Sequence, residues 1–131
     1  MNENRLPDYL GHMFEAAQQA CSYTEGLCKK DFIADKRTQQ AVILNLVIIG
    51  EAATKLLKDY SKFLDQHPDV PWRSMKGMRN RIAHGYFDID LDVVWETVRT
   101  ALPQLLERLP TIRGDADDKG NDALQPPGTG E

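Results

Sequence analysis

The stretch from Trp72 to Tyr86 reads Trp-Arg-Ser-Met-Lys-Gly-Met-Arg-Asn-Arg-Ile-Ala-His-Gly-Tyr, and it is where the chain gathers side chains that could do chemistry. Between Asp69 and Asp88 stand four basic residues, Arg73, Lys76, Arg79 and Arg81, and no acidic one. Such a local excess of positive charge attracts phosphate. On a helix turning about 100° per residue, Arg79 shares a side with Met75, Ile82 and Tyr86. Asn80 and His84 form an i, i+4 pair on another side. Arg79 is long enough to bend toward that pair. An arginine holds phosphate by two parallel hydrogen bonds and stabilises the charge that builds in a transition state. A histidine exchanges protons near neutral pH, and an asparagine orients an attacking or leaving group. These parts suffice for metal-independent cleavage of RNA through its own 2′-hydroxyl, with Arg73 and Lys76 as further phosphate contacts. One histidine serves poorly as both base and acid, so a symmetric dimer joining two clusters would complete the set.

Four helical segments must position these residues, and no period-2 run or Asn-Gly turn argues for strands. The first is expected from about Pro7 to Leu27, with a stripe of Leu6, Leu10, Met13, Ala17, Cys21 and Cys28. The second, from about Asp35 to Tyr60, carries two stripes. Val42, Leu46, Ile49, Ala53 and Leu56 form one; Ile43, Val47, Gly50, Thr54 and Leu57 form the other. A helix apolar on most sides needs more than one partner, so one stripe is expected to meet its own core and the other a second subunit. His67 to Pro71 is a loop, Pro71 opens a third helix ending at about His84, and Gly85 is placed to stop it. Asp90 and Asp92 open the fourth, whose stripe is Leu91, Val94, Trp95, Val98, Leu102, Leu105 and Leu109. Pro103 should kink or split it. The expected fold is all-α, a helical bundle with short connections.

The chain has 131 residues, enough for one domain, with 16 basic against 20 acidic groups. This balance excludes a globally basic nucleic-acid binder and a wholly disordered chain. Residues 114–131 are rich in Gly, Pro and Asp and hold one basic and five acidic groups, so residues 1–113 carry 15 of each and are neutral. The expected organisation is a domain over 1–113 followed by a disordered acidic tail. No basic start precedes an apolar segment, and no apolar run comes near the roughly 20 residues of a membrane span. A cytoplasmic location without membrane attachment is expected.

Ordered blocks around the motif carry a family resemblance. Arg79-Asn80-Arg81-Ile82-Ala83-His84-Gly85-Tyr86 spells Arg, four residues, His, one residue, Tyr. Gly50-Glu51-Ala52-Ala53-Thr54-Lys55-Leu56 and Val70-Pro71-Trp72 precede it. Tyr86-Phe87-Asp88-Ile89-Asp90 and Val93-Val94-Trp95 follow. Over about residues 5–110 the chain resembles the HepT-like branch of the HEPN superfamily. The resemblance implies a homodimeric four-helix bundle with an extra short motif helix and a ribonuclease site at the dimer cleft. Arg79 and His84 would be its catalytic residues and Asn80 the polar residue after the arginine. It implies the toxin half of a type VII-like toxin–antitoxin pair, with RNA as substrate and no cofactor of its own. The partner would be a minimal nucleotidyltransferase antitoxin that transfers AMP from ATP to Tyr86. In the family an acidic residue often stands between His and Tyr; here it is Gly85.

Other residues admit plainer readings. Glu51, in an apolar helix, could pair with Arg79 or Arg81 and support the site. Asn45 could fix register across a dimer or be a satisfied core amide. Trp72, Trp95, Met75 and Met78 read as packing, Cys21 and Cys28 as small buried apolar groups too far apart for a disulfide. His12 and His67 have no evident partners, and neither Glu-x-x-His nor Cys-x-x-Cys occurs, so no metal site is expected. Two rival functions stand beside this reading: a non-catalytic nucleotide- or RNA-binding accessory subunit of a nucleotidyltransferase, and a purely structural dimerisation bundle, which has no use for the acid-free basic stretch at 70–87.

Overall fold

The computed structural model describes residues 4–124, with side chains through Asp118. These residues form helices and no strand, as an all-α reading requires. The long helices are α1 (Leu6–Tyr23), α3 (Lys36–Asp59), α5 (Trp72–His84) and α7 (Leu102–Leu124). Shorter ones are α2 (Lys29–Ala34), α4 (Ser61–Asp65) and α6 (Leu91–Glu96), which a π-helical turn at Thr97–Ala101 joins to α7. A 3-10 turn, Tyr86–Asp88, separates α5 from α6.

The first helix stops four residues earlier than its apolar spacing suggests. Thr24 is buried and returns its hydroxyl to the Cys21 carbonyl at 3.1 Å. Gly26 then takes a φ of 75°, a left-handed conformation that turns the chain. Cys21 and Cys28 therefore do not share one helix. Cys21 is half-buried, its thiol pushed up in pKa chiefly by that burial, whereas Cys28 is exposed at the start of α2. Phe32 of α2 is fully buried, with its ring centroid 5.3 Å from that of Trp95. Gln39 donates to the Phe32 and Ile33 carbonyls at 2.9 Å each and ties α2 to α3.

Asp35 starts α3 by accepting hydrogen bonds from the Thr38 hydroxyl at 2.6 Å and the Thr38 amide at 3.2 Å. The hydroxyl bond above all holds its carboxyl below the ordinary carboxylate pKa. All five residues of the first α3 stripe are buried. Of the second stripe, Gly50 lies against α5, Ile43 is buried, and Val47 and Leu57 pack at the core's edge. The large apolar residues that α3 leaves outside are Leu44 and Ile48, 60% and 37% exposed. By length and composition alone α3 could cross a membrane, contrary to the sequence expectation; half of its most apolar stretch is buried inside the bundle.

The disturbance expected at Pro103 takes the form of the π turn immediately before it, since proline cannot donate to an i−4 carbonyl. The last helix runs past residue 113, where the tail was expected to begin. The row Leu102, Leu105, Leu109 and Ile112 continues to a fully buried Ala116, and α7 runs on to Leu124. The remainder of the expected tail, 125–131, lies outside the described residues. Asp115 also supplies the partner that His67 lacked in the sequence, its carboxylate 3.4 Å from Nε2 but outside hydrogen-bond geometry.

Two anchors set α5. At its start the buried Trp72 donates its indole N–H to the His67 carbonyl at 3.1 Å, and Arg108 of α7 donates to the Asp69 carbonyl at 2.9 Å. Midway, Gly50 lets α5 press onto the α3 backbone: a Cβ there would fall 2.2 Å from Arg79 Cβ and 2.8 Å from the Met75 carbonyl oxygen. Gly50→Ala is expected to force the two helices apart and cost about 1–3 kcal/mol or more. Urea denaturation measures it, and an unchanged midpoint would show that the crossing is looser than described.

Candidate active site at the exposed end of α5

Arg79 emerges from the tight α3–α5 crossing with its stem against Gly50 and its guanidinium at the surface. Its Nη2 lies 2.9 Å from Glu51 Oε1, and its Nη1 donates to Asn80 Oδ1 at 2.9 Å. The neighbour of the close-packing glycine thus supplies the ion-pair partner, so α3 fixes both the stem and the head of this arginine. Glu51 pairs with Arg79 and not with Arg81. Arg81 is exposed and reaches back along α5, its Nη1 3.5 Å from where a Cβ on Gly77 would stand.

Arg79 bends to Asn80, as its length allows, and takes the amide oxygen; no hydrogen bond joins Asn80 to His84 among the described residues. The planar guanidinium fork reaches Glu51 with one nitrogen and Asn80 with the other, which a point-charge ammonium could not do in one plane. His84 is exposed in the last turn of α5. Gly85 caps that turn by donating its amide to the Arg81 carbonyl at 2.9 Å, and Asp88 donates its amide to the Gly85 carbonyl at 2.9 Å. The helix has therefore ended before Tyr86. The angle computed for Tyr86 on a continuous helix, beside Met75 and Ile82, does not apply. Ile82 is buried, whereas Tyr86 stands 46% exposed on the 3-10 turn.

The structure brings Arg79, Asn80 and Glu51 into direct contact, and sets His84 and Tyr86 in solvent just beyond them. Arg73 and Lys76 are exposed nearer the start of α5, about 16 and 12 Å from His84 along the axis at 1.5 Å per residue. Sequence reasoning missed Phe87. It is 98% exposed and meets the Tyr86 ring edge-on at 6.0 Å between centroids. The only signal was its place beside the motif tyrosine. Trp72 is buried and Trp95 packs on Phe32, as packing residues should. No group of three or more His, Cys, Asp or Glu among the described residues is arranged to hold a metal ion.

The family model described as ribonuclease HepT-like matches residues 13–112. The chain belongs to this family. Its relatives include a Thermococcus cleftensis protein named "Probable ribonuclease HepT", 40% identical over 106 residues that cover 81% of this chain and 94% of the relative. A Caldanaerobacter subterraneus protein is 32% identical over 79% of this chain and 90% of its own length. One from Methanocaldococcus jannaschii is 29% identical over 88% and 93%. Both are named for RNase activity. No solved structure matches the chain significantly. The family match spans α5 whole, together with Glu51 of α3 and the Tyr86 turn.

The Glu51–Arg79 pair is partly solvated, so its worth to stability is small. A double-mutant cycle with Glu51→Gln and Arg79→Gln, followed by urea denaturation, is expected to give a coupling of about 0.2–1 kcal/mol. A coupling indistinguishable from zero would mean that the pair adds nothing to stability.

Proposed function

We propose that the protein is a metal-independent endoribonuclease, acts as the toxin of a toxin–antitoxin pair, and is silenced by AMP attached to Tyr86. The observation that carries this reading is the exposed end of α5 in a chain of the ribonuclease HepT-like family: an arginine held at both nitrogens, with a solvent-facing histidine and tyrosine just beyond it. In the proposed reaction the RNA 2′-hydroxyl attacks the adjacent phosphorus and the 5′-oxygen leaves. The products are a 2′,3′-cyclic phosphate and a 5′-hydroxyl. Arg79 stabilises the charge on the phosphate, His84 moves a proton, and Asn80 keeps Arg79 aligned.

Base and acid must both be supplied, and a homodimer provides two copies of His84. Two features support pairing through α3. Leu44 and Ile48 form an exposed apolar i, i+4 pair. Beside them the buried Asn45 donates to the Ala41 carbonyl at 2.9 Å, but its Oδ1 has no partner. That is the residue whose sequence position suggested a polar contact across a dimer.

Tyr86 suits modification because its phenol is exposed on a turn, within the basic stretch. The phenolic oxygen would attack the α-phosphorus of ATP held by the nucleotidyltransferase, and pyrophosphate would leave. The attached AMP places bulk and negative charge where RNA phosphate must lie. RNA and the antitoxin are thus the proposed partners, and the cytoplasm the proposed location.

RNA cleavage by antitoxin-free protein in EDTA tests the enzyme. His84→Ala is expected to lower the rate by about 10²–10⁴-fold. Equal rates would place the chemistry elsewhere, and no cleavage by unmodified wild type would favour the accessory-subunit reading. Tyr86→Phe should keep cleaving RNA yet gain no AMP when incubated with the antitoxin and ATP. An AMP adduct on that variant, seen by intact mass, would remove Tyr86 as sole acceptor.

A further inference from the structure

A second feature of α5 lies at its other end and plays no part in the chemistry above. A cleft of about 610 Å³ opens where the end of α3, the short α4 and the first turn of α5 meet. Lys58 of α3 and Arg73 and Lys76 of α5 line it, together with the hydroxyl residues Ser61 and Ser74. Asp65 is the one carboxylate in the lining. None of the three cations joins an ion pair among the described residues, whereas Arg79 is committed to Glu51. The first turn of α5 carries no acidic residue and no side-chain cap, so its free amides add to the positive field.

A ridge of α5 leads from the cleft toward the proposed active site. At about 100° per residue, positions 73, 80 and 84 fall within about 40° of one another, so one ridge of α5 runs from the cleft to His84. Arg73 and His84 are exposed on it, and Lys76 is exposed about 60° to one side of Arg73. The aromatic residue of the cleft, Trp72, is buried and offers no face on which a base could stack.

We infer that this cleft holds the phosphates of the RNA strand flanking the cleaved bond, with Lys58, Arg73 and Lys76 as its contacts, and that it reads the backbone without regard to sequence. The inference rests on the ribonuclease reading. It gives the strand a direction along α5, from His84 toward the helix start, and it adds Lys58, a residue from outside the motif.

The test uses the full chain carrying His84→Ala, so that RNA binds without being cut. Binding of a labelled single-stranded 12-nucleotide RNA is followed by fluorescence anisotropy at several salt concentrations, for two unrelated sequences. Adding Lys58→Gln, Arg73→Gln and Lys76→Gln is expected to weaken both sequences alike. It should also reduce the slope of log affinity against log salt by about 2, as three lost single-strand phosphate contacts require. If the parent binds and the triple variant binds with the same affinity and slope, the cleft is not on the RNA path. Loss confined to one sequence would overturn backbone reading. If the parent binds no RNA, the ribonuclease reading falls and this inference with it. ATP binding by the parent that the triple variant loses, with RNA affinity unchanged, would make the cleft a nucleotide site and overturn the RNA assignment.

Discussion

The contact of Gly50 with the backbone and β-carbon of α5 is the constraint on which the rest of the site depends. Any larger residue at 50 would collide with Arg79 or with the Met75 carbonyl, so the two helices meet at a distance that only a missing side chain permits. That closeness aligns the next residue, Glu51, with the head of Arg79, and leaves Asn80 to hold the other nitrogen. The remaining anchors serve the same end. Trp72 and Arg108 pin the loop that feeds α5, and Gly85 stops the helix so that Tyr86 turns outward.

Charge is arranged with similar economy. Residues 1–113 are neutral as a whole, yet the stretch between Asp69 and Asp88 is wholly basic. Because the α3–α5 crossing buries Ile82 and half-buries Met75 on one side of α5, the exposed side presents Arg73, Lys76 and His84 to solvent. Acidic groups meet the helix at Glu51, which pairs with Arg79, at Asp65 on the wall of the cleft, and at Asp88 and Asp90, which line a cavity with Met78 and Arg81 at its far end. A phosphate chain approaching this face meets cations unpaired among the described residues at one end and the exposed imidazole of His84 at the other.

Much of this was legible from residue types and spacing, and the departures have identifiable causes. The bounds of α3 and α5 followed from Asp35, Pro71 and Gly85, whose effects act within a turn. The early end of α1 was not legible, because an apolar period continues through Cys28 while a left-handed Gly26 breaks the backbone. The reach of α7 was hidden by composition: Asp, Gly and Lys surround Ala116, and a single small residue suffices to keep the helix docked. Asn80 could be placed beside His84 by angle, but a choice between two hydrogen-bond partners depends on where α3 holds the guanidinium.

The sequence alone thus settled the helical class, the position of the basic motif stretch and the pairing of Glu51 with a motif arginine as one of two choices. These follow from short-range rules: periodicity, capping and the family pattern over contiguous residues. Which arginine Glu51 meets, which apolar row of α3 stays uncovered, and how Lys58 joins Arg73 and Lys76 around one cleft were decided by the packing of α3 against α5. They are relations between residues far apart in the chain, and their distances exist only once a glycine has let two backbones touch.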